Sequence, residues 1–315
     1  MTATRLKHTI HAEHHHWWWD RAIPPVLEVE PGTVIDLELN DPGGGQIGPG
    51  SSTSELLQLD FSRINPVTGP VWIDGAEPGD AVHIELLSVE PCGWGWSALI
   101  PRFGLLADDF LEPHLVQWHY DRAGQVPAAL QGAGRVPTNP MIGSLGLAPG
   151  APGPHDILPP RRVGGTMDIR DMVAGSILCL PVEVAGALLS CGDGHAAQGD
   201  GEVCGTGLET ALKVSLRVNL EKHAAPRAPR FSVPGPVTSH LDEAGYDVTT
   251  GVGPDLMTGA RDAVRSMIDL LSSREKMTPE DAYILCSVAG DLRISEIVDA
   301  PNWIVSFYFP RIVLE

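Results

Sequence analysis

Positive charge is scarce in this 315-residue chain: 21 Lys and Arg stand against 40 Asp and Glu, a net charge of −19. A surface of that sign repels phosphate backbones and anionic headgroups, which argues against nucleic acids and membranes as partners. It suits neutral or cationic small substrates and metal ions, or simply confers solubility. Lysine is confined to Lys7, Lys213, Lys222 and Lys276, so a cysteine–lysine nucleophilic pair has little to draw on. Cysteine is sparse too. Cys92, Cys179, Cys191, Cys204 and Cys286 form no C-x-x-C pair, and their number is odd. Most sit in apolar stretches, as reduced, buried, cytosolic thiols do. No long apolar run exists. The most apolar stretch, Ala174 to Leu189, is interrupted by Pro181 and Glu183, too short and broken to span a bilayer. The N-terminus shows no apolar signal core, so a cytoplasmic location is the expectation. There is no G-x-S-x-G nucleophile elbow and no P-loop, and Gly43-Gly44-Gly45 and Gly132-Ala133-Gly134 make no dinucleotide fingerprint.

What is plentiful is glycine and proline, 35 and 28 residues, together one in five. With 43% hydrophobic and 19% charged residues, the chain is globular but rich in turns, which favours many short strands over a helical bundle. Ile35, Leu37 and Leu39 alternate with Asp36 and Glu38, and Val82, Ile84 and Leu86 repeat the pattern. Leu208, Leu212, Val214, Leu216, Val218 and Leu220 share one parity against Lys213, Ser215, Arg217 and Asn219, predicting a long strand with one dry face. Residues 121–162, rich in Gly, Pro and Ala, read as a functional loop or covering arm. Leu256 to Leu271 carry three- and four-residue apolar spacing, an amphipathic helix with Pro254 suited to its first turn. Thr278-Pro279 caps a second helix running to about Val288, and a final strand fits Trp303–Phe309.

The densest chemistry lies in Cys191-Gly-Asp193-Gly-His195-Ala-Ala-Gln198-Gly-Asp200-Gly-Glu202. Residues two apart on a strand share a face, so Asp193 and His195 can point to one spot. Carboxylate and imidazole together suit zinc or a related divalent ion, although an acidic turn has the same composition. Glu202 shares the parity of the dry face. In register it faces inward, where burial makes it a general base near neutral pH; a bulge at Gly205 or Gly207 turns it outward. His11, His14, His15 and His16 precede Trp17, Trp18 and Trp19. Alternation lets at most one or two of those histidines serve one site. Gly164-Gly165-Thr166-Met167-Asp168 is either a hairpin turn or a site-lining segment. Asp60, between Leu59 and Phe61, is a carboxylate in an apolar setting, expected to be paired or bound. Trp94, Trp96 and Phe103 line a pocket or fill core.

At these residues the chain resembles the acetamidase/formamidase family of small-amide hydrolases. The resemblance runs nearly end to end. It includes Pro24-Pro25-Val26-Leu27, Gly44-Gly45-Gln46-Ile47, Asn65-Pro66-Val67-Thr68-Gly69-Pro70 and Gly75-Ala76-Glu77-Pro78-Gly79-Asp80. Its strongest stretch is Gly192-Asp193 through Gly201-Glu202, followed by Leu285-Cys286-Ser287-Val288 and Asp291-Leu292-Arg293-Ile294. Where the family commonly has His-Gly-Gly-Asn-x-Asp, this chain has Val163-Gly164-Gly165-Thr166-Met167-Asp168. The resemblance implies a mainly β fold with a sandwich core; joined to the two helices read from their periodicity, the expected fold is a β-sandwich or jelly-roll-like core with a barrel-like addition and a C-terminal helical hairpin. The resemblance implies one catalytic unit over 1–315, with a mostly β core to 225 and an α+β segment over 226–315 returning to it. It also implies homo-oligomers, a divalent metal (zinc, with calcium as the alternative), and hydrolysis of small linear amides or lactams. Asp60, Asp168, Asp193 and His195 are then the candidate metal ligands, with one of His14–His16 in reserve. Glu202 is the proton carrier, and His195 shares in catalysis. Gln46 and the Gly164-Gly165 backbone would bind the carbonyl oxygen, with Trp96 against the substrate. Two other readings stay open: a metal-free amidase with Cys191 or Cys204 as nucleophile, and a non-enzymatic metal- or sugar-binding β-sandwich.

Overall fold

A computed structural model describes residues 8–314. Two six-stranded sheets face each other. The first runs His8–Ile10, Val34–Leu39, Leu212–Glu221, Ala81–Pro91, Ile177–Pro181, Arg230–Ser232. The second runs Gly164–Thr166, Met141–Gly146, Leu189–His195, Val67–Ile73, His15–His16, with Leu27–Val29 also pairing Val67–Ile73. The alternating residues do what their period requires. Ile35, Leu37 and Leu39 are buried, as are Val82, Ile84 and Leu86, and they meet Leu145, Leu189 and Cys191 of the opposite sheet in one core. Among the described residues no sheet closes into a barrel, so the barrel-like addition is replaced by open sheets.

The long strand is shorter than its parity suggests. It spans Leu212–Glu221, paired antiparallel to Val34–Leu39 on one side and Ala81–Pro91 on the other. Residues 199–211 leave the ladder as an irregular loop, turned by Gly201 at φ +102° and Gly205 at φ +87°. The segment 121–162 is not merely an arm. It supplies Met141–Gly146, a central strand of the second sheet, buried at every position.

The C-terminal part forms a three-stranded antiparallel sheet with Trp303–Pro310 between Tyr246–Gly253 and Asp291–Glu296. The helix Leu256–Glu275 packs on it so closely that a Cβ on Gly251 would lie 1.9 Å from the Gly259 carbonyl oxygen. Asp255 is its N-cap, so Pro254 precedes the cap instead of entering the first turn. The helix Pro279–Ala289 starts at a Thr278 cap and is buried from Ala282 onward. It clamps the 199–211 loop. The Ser287 hydroxyl accepts from the Cys204 N–H at 3.1 Å and donates to the Thr206 carbonyl at 2.7 Å. The Gly199 N–H donates to the Ser287 carbonyl at 2.8 Å. A Cβ on Gly199 would stand 1.9 Å from the Gly290 carbonyl oxygen, so only glycine fits there. The loop is thus held by the α+β segment on one side and the sandwich on the other. Among the described residues no helix is long and apolar enough to cross a membrane.

Candidate active site

The strand Leu189–His195 ends in the imidazole around which the site is built. His195 Nε2 lies 3.0 Å from Glu209 Oε2, 3.3 Å from Asp193 Oδ1 and 3.9 Å from Glu202 Oε1. Its Nδ1 faces Gln198 Oε1 at 2.7 Å, while Gln198 Nε2 donates to the Asp168 carbonyl at 2.7 Å. An amide oxygen can only accept, so Nδ1 carries the hydrogen and Nε2 is presented to the carboxylates. One glutamine therefore sets the imidazole tautomer and ties it to the Asp168 backbone.

Three of the four carboxylates sit on left-handed backbone: Asp168 at φ +47°, Asp193 at φ +60° and Glu202 at φ +42°. Such conformations persist where the surroundings enforce them, and they cluster at functional sites. Asp193 Oδ2 accepts from the Ser144 hydroxyl at 3.2 Å, and Ser144 in turn bonds Thr166. Glu209 Oε1 accepts from the Gly207 N–H at 2.6 Å. Gly143, on the central strand, leaves room for the acids: a Cβ there would lie 2.4 Å from Asp168 Oδ1 and 2.7 Å from Asp193 Oδ2. Arg170, two residues beyond Asp168, is buried against Asp291, whose Oδ1 also accepts from the Asp200 N–H at 3.2 Å. That pair fastens the acidic loop to the C-terminal sheet.

Crowding sets the electrostatics. Burial, reinforced by the Asp193 charge, pushes Asp168 well above the usual carboxylate range. Burial and the Asp168 charge do the same to Glu202. Burial also raises Glu209, against the pull of His195. Burial alone would lower His195, but Glu209 and Asp193 outweigh it and hold the imidazole well above its usual range. Asp168 Oδ1 is sealed from solvent and makes no hydrogen bond, while His195 Nε2 and Glu209 Oε2, equally sealed, meet only as an ion pair at 3.0 Å. Buried polar atoms are ordinarily satisfied, so an unbonded carboxylate oxygen among acids crowded on one imidazole is the arrangement expected where a cation belongs. The ligand atoms of Asp168, Asp193 and His195 lie within 4.8 Å of one another, as do those of His195, Glu202 and Glu209. Oxygen donors around one imidazole nitrogen fit a divalent metal.

At the cluster opens a cavity of about 220 Å³ lined by the polar Thr166, Asp168, Asp193, Glu202 and Glu209 and by apolar residues that include Trp96 and Phe103. The sequence profile of the acetamidase/formamidase family matches residues 3–157 and 151–315. The chain belongs to that family. The formamidase of Methylophilus methylotrophus is 26% identical over 93% of this chain and 88% of its own length. The acetamidase of Mycolicibacterium smegmatis is 28% identical over 64% of each chain. Among solved structures, a gamma lactamase from Delftia acidovorans superposes with a TM-score of 0.86 at 25% identity, covering 95% of this chain and 89% of that one. An acetamidase from Bacillus halodurans gives 0.67 at 30% identity over 96% and 97% of the two chains.

Against the sequence reading of this family member, the structure brings together Asp168, Asp193, His195 and Glu202, with Trp96 in the cavity wall. It moves others away. Asp60 is exposed, not buried: its Oδ1 caps the turn Phe61–Arg63 by accepting from the Ser62 N–H at 3.0 Å. Gln46 spends its amide on the same loop, bonding the Asp60 N–H and the Asp60 and Arg63 carbonyls, so it holds backbone and not a substrate oxygen. Gly164 and Gly165 pair with Gly146 and Leu145 in the sheet and do not line the cavity; Thr166 does. Val163, the other departure from the family motif, is buried in the sandwich core. His16 bonds Ser190 Oγ at 2.9 Å, and burial pushes it down to about 4. None of His14, His15 and His16 joins either ligand cluster. Cys191 and Cys204 do not line the cavity, and burial pushes their thiols up to about 12 and about 11, which disfavours a thiolate nucleophile. Glu209 is the residue the sequence reading missed. Its parity beside Leu208 marks a wet face, but it bridges both Trp96 and His195 from irregular backbone and is buried.

Proposed function

We propose that this chain hydrolyses the C–N bond of small neutral amides, linear or cyclic, with a divalent metal held by Asp168, Asp193 and His195. The observation that carries the metal part is the pair of ligand groups, Asp168–Asp193–His195 and His195–Glu202–Glu209, that share one buried imidazole. An imidazole nitrogen among the donors favours zinc, with calcium as the alternative. When bound, such a metal supplies Lewis-acid chemistry, polarising the carbonyl and lowering the pKa of water to about 7.

The chain's own groups divide the remaining work. Glu202 lines the cavity at the edge of the cluster. Its raised proton affinity suits it to take a proton from the attacking water and deliver it to the leaving nitrogen. Asn65 brings a side-chain amide to the described lining and is a donor for the substrate's carbonyl oxygen. Gln198 keeps His195 Nε2 facing the acids. The carboxylates then repel the carboxylate product, which favours its release.

The test is ammonia release from a panel of amides and lactams by purified protein, before and after chelation, with zinc added back. The reading expects activity that is lost to chelator and restored by zinc. Activity indifferent to chelation would sink the metal assignment, and no release from any amide would sink the hydrolase assignment.

A further inference from the structure

The cavity is large for formamide or acetamide, and much of its lining is apolar. Its apolar lining is made by Leu59, Phe61, Ile64, Trp96, Ile100 and Phe103. Phe61 and Phe103 are 46% and 37% exposed, yet they pack on each other at the cavity's edge, ring centroids 6.1 Å apart and planes at 64°. Two aromatic rings left in water at the mouth of a site are a surface to be covered by something apolar. Their placement is built in. Phe103 lies over Gly205, where a Cβ would stand 2.4 Å from its ring, so the loop carrying Glu202 and Glu209 also seats this aromatic. Trp96 is fixed by its Nε1 hydrogen bond to Asp41 Oδ1 at 3.3 Å. Among the described residues no Lys, Arg or exposed His lines the cavity, whereas four carboxylates do. An apolar cavity of about 150 Å³ takes a benzene ring, and here about 220 Å³ is available.

Resting on the amide-hydrolase reading above, we propose that the cavity selects neutral amides whose acyl side carries an aromatic group, seated between Trp96 and the Phe61–Phe103 pair, and rejects anionic acyl groups. The amide is held at the acids and the ring occupies the apolar wall. Formamide and acetamide reach only the polar end.

The test measures kcat/KM of the zinc-loaded protein for acetamide, isobutyramide, benzamide, phenylacetamide and 4-carboxyphenylacetamide. At roughly fourfold per buried methylene, phenylacetamide is expected to exceed acetamide by roughly 30-fold or more. The para-carboxylate is expected to fall at least about tenfold below phenylacetamide through like-charge repulsion. Phe103→Ala should shrink the phenylacetamide-to-acetamide ratio about fivefold or more. Acetamide equal to or better than phenylacetamide overturns the proposal. A calorimetric comparison of the two amides binding to Glu202→Gln separates the two layers. Tighter phenylacetamide binding without turnover by the wild type keeps the ligand class and refutes hydrolysis, whereas equal binding refutes the ligand class itself.

Discussion

Asp168→Asn should change stability in opposite directions with and without metal. The ligand atoms of Asp168 and Asp193 lie within 4.8 Å. Two like charges at that distance repel by about 3.5 kcal/mol at an effective dielectric of about 20. The metal-free protein escapes part of this by protonating Asp168, which its raised proton affinity reflects. Asparagine removes the charge, keeps the volume, and suits the left-handed backbone at φ +47°. The metal-free variant is therefore expected to gain about 1–2 kcal/mol, melting some 2–4 °C above wild type. With excess zinc the order reverses, because a lost ligand that weakens binding about 100-fold removes about 2.7 kcal/mol of ligand-linked stability. The pH dependence has a definite sign. A carboxyl raised in the folded state destabilises it above the unfolded pKa, near 3.9, so the metal-free difference between variant and wild type should shrink as pH falls from 7 toward 4. Thermal unfolding in chelator and in excess zinc, at several pH values, reads all of this. A variant less stable than wild type without metal, or shifted equally in both conditions, refutes the reasoning.

Two further outcomes follow. Gln198→Ala removes the acceptor on His195 Nδ1 and should weaken zinc binding about 10–100-fold in a competitive chelator titration, while the fold survives. Asp80, buried at the turn before the strand Ala81–Pro91, accepts from Lys222 and from the His223 and Glu77 N–H groups. Burial pushes it up, but those bonds outweigh burial and hold it below the usual range. Asp80→Asn should therefore cost about 1.5–3 kcal/mol in denaturant unfolding at neutral pH. That stability is present above the unfolded pKa and lost as pH falls through the folded one, so the gap between the two proteins should shrink progressively as pH falls below about 4.

Strands with one wet face were legible in the sequence, because Asp36 and Glu38, or Lys213 and Arg217, mark the solvent side of their period. Met141–Gly146 was not, because a strand covered on both faces has no alternation to read. The pairing of Asp193 with His195 followed from their spacing. Glu202 does face inward, but for another reason: it sits in a loop at φ +42°, not in register with Leu212–Glu221. Glu209 escaped because its orientation is set by bridges to Trp96 and His195, which are distant in sequence from it. Asp60 misled because Leu59 and Phe61 line the cavity while the carboxylate between them turns to solvent. Local pattern reports faces of regular elements; the site is assembled from the irregular backbone where those elements end.

The central claim is that Glu202 moves the proton in a metal-dependent amide hydrolysis. It is tested most directly by measuring bound zinc and kcat together for Glu202→Gln, on the best amide of the panel. The account predicts unchanged zinc stoichiometry and a kcat about 10²–10⁴-fold below wild type. Zinc retained with near-wild-type turnover would contradict it.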